Sequence, residues 1–391
     1  MRSVFLLVAA LLVSLVVAEI ALRAVAPEWL EYRMAVLNAG HGSQEGDYAE
    51  GTDRDWPVEE RDGAFYRFKP DSSFPVTHYE YSHVATTDRL GARSTLERQA
   101  GLDVVFMGDS FTFGVGVKDL ETFVALLEKD VGFNASNLGV PGSTLTQQVR
   151  IARMRHEELG APRRYVFVMF LGNDIADLWR NRKKQASADS QDDGAVHPVE
   201  AERQNALLRE INDWVFHNVV LKKSYFLQLV KSAILQMRAG GERSIYMDDI
   251  FRLMRDDGQY LERSKRLLSE EFQKLVDFSA TGDAEVLILL IPDKYQVDSA
   301  VRDARSEYYG LDSDALDPLR PNMLVKDAAD ASGLEVVDPF DCIRERSAGQ
   351  EALYYKQDGH FTPGGHAVFA ACAAPRIRSW LDRTASRDRA S

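Results

Sequence analysis

The sequence predicts an α/β fold in which a sheet of parallel strands is covered by helices. Short apolar runs rich in β-branched residues, such as those at 104–107 and 165–170, have the composition of strands buried on both faces. Each run ends in a turn containing glycine, and a stretch that can form a helix follows. This order of strand, turn and helix is typical of parallel α/β units. The 391 residues suffice for one large domain with additions or for two domains.

The individual elements follow from periodicity and from glycine and proline positions. Buried strands are predicted at 104–107, 133–138, 165–170, 285–291 and 334–338. Helices are predicted around them at 120–129, 146–159, 323–332 and 367–381. Apolar residues at helical spacing also run through 200–237, 245–254 and 260–278. These last stretches predict a largely helical insertion at about 180–280.

The first 25 residues are predicted to be a signal peptide or a membrane anchor. Ser3 to Ala18 carries no charge and lies between Arg2 and Glu19. That length suits a long signal-peptide core or a short membrane span, and a retained anchor is slightly favoured. Both interpretations place the remainder of the chain beyond the membrane, in an extracytoplasmic (periplasmic) location.

Residues 26–100 form an N-terminal extension before the main domain at 101–385. Aromatic-rich segments within 65–93, among them His78-Tyr79-Glu80-Tyr81, are predicted to form a hairpin that leans on that domain. The basic run at 180–184 leads into a polar stretch and is interpreted as a solvated loop.

Composition excludes some partners. The net charge of −13 argues against nucleic acid, which requires a basic face. His78 and His83 lack an evident third ligand, and no zinc-ligand spacing occurs, so neither a metal nor another cofactor is predicted. Cys342 and Cys372 could pair outside the cytoplasm or remain buried thiols inside it.

Four polar residues lie at predicted strand ends or in loops before helices: Ser110, Asn173, Asp358 and His360. Parallel α/β sheets bind ligands at the carboxyl ends of their strands. A serine hydroxyl becomes a nucleophile when a histidine accepts its proton, and a carboxylate such as Asp358 orients that histidine.

The same chemistry needs donors for the oxyanion of the attacked carbonyl. The amides of Ser110 and Gly142 and the side chain of Asn173 are the candidates, with Gly139 as the rival to Gly142. Asp338 and Asp293 also end strands and are rivals to Asp358 as the orienting acid. Asp109 is interpreted as a turn-forming residue, and His366 as a packing or capping residue.

The motifs Gly108-Asp109-Ser110, Gly142, Gly172-Asn173-Asp174 and Asp358-Gly359-His360 resemble, in order, the four blocks of the SGNH hydrolases, also called GDSL esterases. The resemblance covers about residues 100–382. It implies a three-layer α/β/α, flavodoxin-like fold with a five-stranded parallel sheet. It implies Ser110 as nucleophile and first oxyanion donor, Gly142 and Asn173 as further donors, and His360 with Asp358 completing a catalytic triad. Many relatives have Asp-x-x-His, whereas the Asp-x-His form here resembles membrane-linked, sugar-modifying branches.

Three functions are compatible with these observations. The leading hypothesis is a serine-dependent hydrolase acting through an acyl-enzyme on an O-acyl, such as O-acetyl, ester of a glycan or a small molecule. The second is an O-acyltransferase that uses the same triad to acetylate a polysaccharide. The third is a non-catalytic glycan-binding protein on an esterase fold.

Overall fold

The computed structural model describes most of the chain, with gaps in the N-terminal extension and in the insertion. The described residues are 2–25, 56–61, 64–78, 80–96, 101–179, 224–226, 230, 245–309, 311–347, 352–356 and 358–388. Much of the predicted insertion, including the basic run at 180–184, lies outside the described residues.

A five-stranded parallel sheet forms the centre of the molecule, in the order β6-β5-β7-β8-β9. Its strands, in chain order, are β5 (Val104–Gly108), β6 (Ala135–Gly139), β7 (Arg164–Phe170), β8 (Glu285–Ile291) and β9 (Glu335–Val337). The α/β class, the sheet and the approximate position of each strand are therefore confirmed.

Strand residues alternate between two apolar cores, one on each face of the sheet. In β7, Tyr165 and Phe167 belong to one core, whereas Val166 and Val168 belong to the other. Because both faces are covered, β5, β7 and β8 lack polar alternation and appear in the sequence as largely apolar runs.

Helices on both sides of the sheet contribute to the two cores. The first core receives side chains from Leu145–Arg155, Gly258–Gly282 and Arg320–Ala331. The second receives them from Phe123–Leu127, Phe340–Ser347 and Pro363–Asp388. The result is a three-layer α/β/α arrangement.

The predicted helices are present with shifted ends, and the sequence analysis missed others. Ile245–Met254 and Gly258–Gly282 confirm the helical character of the described part of the insertion. Ser299–Tyr309 and Phe340–Ser347 were not predicted, and the short helix Lys294–Val297 directly follows β8. The two longer ones carry many charged residues, which weakens their apolar periodicity.

Two antiparallel hairpins make up the described part of the N-terminal extension. They are β1 (Val58–Arg61) with β2 (Ala64–Phe68), and β3 (Ser73–Thr77) with β4 (Ser82–Thr86). The second hairpin confirms the hairpin predicted from the aromatic-rich segments, and residues 78–81 lie between its two strands.

The extension packs on the main domain through an aromatic cluster and a buried ion pair. Phe68, Phe74 and Trp56 surround Phe113, whose ring centroid lies 5.4 Å from that of Trp56. Arg93 is buried, and its Nε lies 2.6 Å from Asp119, which also accepts two hydrogen bonds from Thr86. A buried arginine needs such a partner because unpaired charge is costly in an apolar setting.

The N-terminal segment is helical over Arg2–Val25. Among the residues that the structure describes, no helix combines the length and apolar character needed to cross a membrane. Glu19 of this helix accepts hydrogen bonds from the amides of Tyr225 and Phe226, each at 2.9 Å. The location of the domain stays a prediction.

Cys342 and Cys372 form a disulfide, so the first of the two alternatives for this pair is the one observed. The bond joins the helix Phe340–Ser347 to the helix Pro363–Asp388. The segment between them carries Asp358 and His360, and the disulfide therefore closes a loop around it.

We expect the double substitution Cys342→Ser/Cys372→Ser to lower the free energy of unfolding. The cysteines are 30 positions apart, and a cross-link that closes a loop of this size stabilises a protein by about 3–4 kcal/mol through the unfolded state. Urea unfolding without reductant would measure the change, with reduced wild-type protein as the matched control. Equal midpoints for the oxidised wild type and the variant would contradict this role of the disulfide.

Candidate active site

Ser110 lies just beyond the carboxyl end of β5, at the start of the short helix Ser110–Phe113. Asp109 precedes it and accepts a hydrogen bond from the Phe111 amide at 2.9 Å, which fixes the turn. A Cβ on Gly108 would lie 2.0 Å from Thr112 Oγ1, so the strand-to-helix turn needs glycine there. Asp109 has the structural role expected from the sequence, and Ser110 is presented at the edge of the sheet.

His360 contacts Ser110 although it lies 250 positions later in the chain. Its Nε2 lies 2.7 Å from Ser110 Oγ, and its Nδ1 lies 2.5 Å from Asp358 Oδ2. Gly359, between the two, has φ +83°, a conformation that favours glycine. This positive φ belongs to the turn in which Asp358 and His360, only two positions apart in the Asp-x-His motif, bring their side chains into contact.

Desolvation and charge together set the protonation of this pair. Burial raises the pKa of Asp358, but the nearby His360 outweighs it and holds that pKa well below the usual range. Burial lowers the pKa of His360, but the charge and hydrogen bond of Asp358 outweigh it and raise that pKa above 6.5. Asp358 is therefore a carboxylate that stabilises a proton on the imidazole.

Aromatic side chains fix the position of the imidazole ring. Phe111 lies 4.9 Å from the His360 ring and 4.1 Å from the Phe170 ring, centroid to centroid. Phe361 contacts Phe111 edge to face, with the ring centroids 5.2 Å apart. This packing restricts the rotamers of His360 and excludes water from one side of it.

Gly142 and Asn173 lie at the same edge of the sheet as Ser110. Gly142 follows β6 and Asn173 follows β7, the two strands that flank β5. The Gly139 amide donates to Asn137 Oδ1 at 3.0 Å, whereas Gly142 has φ +73° in the following turn. Gly139 is thus engaged within its own strand, which favours Gly142 of the two candidate donors.

Two buried carboxyl groups lie beneath this edge. Burial raises the pKa of Asp109 to about 6, and the amide of Phe111 and the charge of His360 oppose the increase. Burial and the charge of Asp109 raise the pKa of Asp174 well above its usual value. Asp174 accepts the Phe170 amide at 2.9 Å, so it closes the turn that leads to Asn173.

The rival residues are engaged elsewhere. Asp338 lies 2.5 Å from Lys326 Nζ and accepts the Asn322 side chain at 3.0 Å. Asp293 accepts the Tyr295 amide at 2.8 Å and caps the helix Lys294–Val297. Asp358 is therefore the carboxylate that the structure places on His360.

His366 packs in the core, as the sequence analysis expects. It is buried, and its Nδ1 accepts the Phe123 amide at 3.1 Å. Burial lowers the pKa of His366 to about 3. This histidine is neutral and serves packing and the start of the helix Phe123–Leu127.

Sequence reasoning missed two charged residues that touch the segment carrying Asp358 and His360. Glu80 bonds the backbone of Lys356 and Asp358, and Lys294 Nζ lies 3.3 Å from the Lys356 carbonyl oxygen. Lys294 follows a strand end, which is a weak signal that applies to many residues. No local pattern links Glu80 to a segment almost three hundred residues later.

The sequence of residues 104–213 matches the family model described as GDSL-like Lipase/Acylhydrolase. The matched stretch contains Ser110, Gly142 and Asn173, whereas Asp358 and His360 lie beyond it. The comparison with curated proteins found no match.

Several solved structures resemble the chain at low sequence identity. An alpha/beta hydrolase enzyme from the metagenome of Lake Arreo, Spain, is 16% identical over 70% of this chain and 93% of that one, with a TM-score of 0.34. A lipolytic G-D-S-L family member from Veillonella parvula is 13% identical over 70% and 96%, with a TM-score of 0.35. An acetylxylan esterase from Geobacillus stearothermophilus is 16% identical over 70% and 92%, with a TM-score of 0.32.

The assignment rests on the family match, since structural similarity at these scores carries no argument. The parallel sheet and the serine–histidine contact are those that the resemblance of the sequence motifs led us to expect. Residues 104–213 of this chain thus match a GDSL-like lipase/acylhydrolase domain, and this match supports a carboxylic ester hydrolase.

Proposed function

We propose that this hydrolase cleaves an O-acyl ester, such as an O-acetyl group on a glycan or a similar extracytoplasmic substrate, with Ser110, His360 and Asp358 as its catalytic triad. The observation that carries the proposal is the chain of contacts from Ser110 Oγ to His360 Nε2 at 2.7 Å and from His360 Nδ1 to Asp358 at 2.5 Å. These are hydrogen-bonding distances for a nucleophile, its base and the group that orients the base.

In the acylation step, Ser110 Oγ attacks the ester carbonyl carbon while its proton passes to His360 Nε2. The tetrahedral intermediate collapses, the bond from carbon to the alcohol oxygen breaks, and His360 gives its proton to the leaving alcohol. Water then attacks the acyl-enzyme, again with His360 as base. The acid is released and the serine hydroxyl is restored. Neither step consumes an oxidant or a reductant.

The negative charge on the carbonyl oxygen needs hydrogen-bond donors in both steps. Ser110 begins a helix, where the first amides have no intrahelical acceptor, and so its amide is one donor. The Gly142 amide and the Asn173 side chain, from the strands on either side, complete the set. Donors fixed in a desolvated site stabilise an oxyanion more strongly than water does.

The disulfide supports the extracytoplasmic part of the proposal. Disulfides such as Cys342–Cys372 persist in oxidising compartments and are rare in the cytosol.

Measuring acetate release from acetylated glycans, with and without an added acceptor polysaccharide, tests the substrate class. Transfer to the polysaccharide without net acetate release would instead identify an acyltransferase.

We expect an alkyl phosphonate to label wild-type protein at Ser110 and to leave Ser110→Ala unlabelled. The same substitution should reduce ester hydrolysis at least about a thousandfold, because the nucleophile is lost. Mass spectrometry of the adduct and a chromogenic ester assay are the measurements. Ser332→Ala is the matched control, since Ser332 Oγ bonds only within its own helix in the contacts described. Labelling at another residue, or none on folded protein, would refute the proposed mechanism.

The pH dependence should report the pKa of His360. This pKa is raised above 6.5 by Asp358, so kcat/KM should fall as pH decreases through it, because a protonated imidazole cannot accept the Ser110 proton. Asp358→Asn removes the negative charge. The acidic limb should therefore move to lower pH, and the plateau rate should fall by about 10³–10⁴. Asp338→Asn, at the rival strand end, is the control and should leave the limb in place. The opposite result for the two variants would make Asp338 the orienting acid.

Asn173→Ala should lower kcat by about 10²–10³, because one oxyanion donor contributes on this scale in other hydrolases. The KM for a small ester should change little, since the interaction strengthens mainly in the transition state. Asn134→Ala is the matched control: Asn134 lies at the opposite end of β6 and bonds Asp103 there. Equal kcat values for the two variants would remove Asn173 from the oxyanion site.

A further inference from the structure

The turn between β3 and β4 contacts residues 354–361, which we call the histidine loop. Residue 357 of this loop lies outside the described residues. Glu80, in this turn, accepts two backbone hydrogen bonds from that loop. One oxygen accepts the Lys356 amide at 2.9 Å, and the other accepts the Asp358 amide at 2.8 Å. Both carboxylate oxygens of one extension residue are thus committed to the backbone around Asp358.

The histidine loop is closed by its own backbone hydrogen bonds, and Lys356 and Asp358 near its tip are also bonded from outside. Tyr354 and Phe361 form a β-bridge, and the Tyr355 amide donates to the His360 carbonyl at 2.8 Å. Nearer the tip, the Gly359 amide donates to the Tyr355 carbonyl at 3.2 Å, and the loop turns at Gly359. Its tip carries Asp358, whose position relative to His360 determines the short contact at Nδ1. Backbone hydrogen bonds to the tip therefore restrict the movement of Asp358, the residue that orients His360.

Glu80 and Lys294 hold the same residue of the loop from two separate elements. Glu80 accepts the amide of Lys356, and Lys294 Nζ donates to the carbonyl oxygen of Lys356 at 3.3 Å. Charge-assisted hydrogen bonds of this kind are stronger than neutral ones. The Lys356 backbone is thus bonded by an anion at its amide and a cation at its carbonyl.

Aromatic contacts accompany these hydrogen bonds. The ring of Tyr81 lies 4.9 Å from that of Tyr355, centroid to centroid, and the Tyr355 hydroxyl donates to the Gly116 carbonyl at 2.9 Å. A Cβ on Gly116 would lie 2.7 Å from the Tyr355 ring, so glycine permits this close approach. A hydrogen bond from Tyr81 also helps to lower the pKa of Asp358, after the larger effect of His360 has offset burial.

We propose that Glu80 is a positioning residue that holds the histidine loop in its productive geometry, with the result that the N-terminal extension is part of the catalytic unit. The inference rests on the proposed triad. Glu80 acts through the backbone of Asp358 and does not touch the reacting atoms. A displacement of about 1 Å at a catalytic group can reduce a rate about a hundredfold, so losing both hydrogen bonds at the loop tip should be visible in kcat.

The test compares Glu80→Ala with Glu60→Ala, the same substitution at an exposed position of the same extension. We expect Glu80→Ala to lower kcat about 10- to 100-fold with little change in KM for a small ester, and Glu60→Ala to match wild type. Glu80→Gln keeps one acceptor oxygen and should recover part of the loss. Phosphonate titration of active sites normalises each rate, so a smaller folded fraction does not affect the comparison.

The pH profile separates positioning from the loss of a charge. The groups that act on His360 are Asp358 and Asp109, which raise its pKa, and Lys294, which lowers it; His78 and Tyr81 act on Asp358. If Asp358 loses its fixed position, the pKa of His360 should fall, and the acidic limb should move to lower pH in Glu80→Ala. Glu80→Gln removes the same charge but keeps one hydrogen bond, and its limb should move less. Equal shifts in both variants would overturn positioning.

The outcomes distinguish this inference from the proposed function. If wild-type protein is neither labelled at Ser110 nor active on esters, the proposed triad fails. If wild type is labelled and active while Glu80→Ala behaves like Glu60→Ala, the triad stands and the role of Glu80 is refuted. Tyr81→Phe is a second variant in case Glu80→Ala does not fold, because it keeps the ring contact with Tyr355 and removes only the hydroxyl. A wild-type pH profile for Tyr81→Phe would count against the hairpin turn as a positioning element.

Discussion

The hydrogen bond between Asp358 and His360, made where little water reaches, is the constraint on which the site depends. A carboxyl group in such a setting tends to take up a proton, and an imidazole tends to lose one. Each group reverses that tendency in the other, so Asp358 stays ionised and His360 becomes a stronger base. The pair works only while the two side chains remain in contact, because separation would leave a half-buried charge without this partner.

The parallel sheet solves the problem of bringing distant residues together. In a parallel arrangement all strands end on the same edge, so Ser110 after β5, Gly142 after β6 and Asn173 after β7 meet there without further help. The histidine loop does not follow a strand of the sheet in this way. It lies before the helix Pro363–Asp388 and needs contacts from elsewhere. Lys294 and Glu80 supply those contacts, and the disulfide joins the helices that lie on either side of the loop in the chain.

This difference explains what the sequence could and could not predict. Strands buried on both faces appear in the sequence as apolar runs, so they could be identified locally. The ends of these runs located Ser110 and Asn173. His360 and Asp358 were found through the chemistry that a serine requires. Glu80 was not found, because its partners are backbone amides 276 and 278 positions away and its own surroundings resemble an exposed turn. The helix Phe340–Ser347 was missed because charged residues obscure the apolar stripe that packs Ile343 in the core.

The strength of His360 as a base follows from a balance of charges on separate elements. Asp358 and Asp109 favour the protonated imidazole, while burial and Lys294 oppose it. Burial raises the pKa of Asp109 to about 6, and the charge of the ionised Asp109 adds to that of Asp358 in raising the pKa of His360. The rigid turn after β5 fixes the distance of Asp109 from the imidazole, but the distance of Asp358 depends on the histidine loop. Asp358 thus has the larger effect on the pKa of His360, and its position depends on the N-terminal extension.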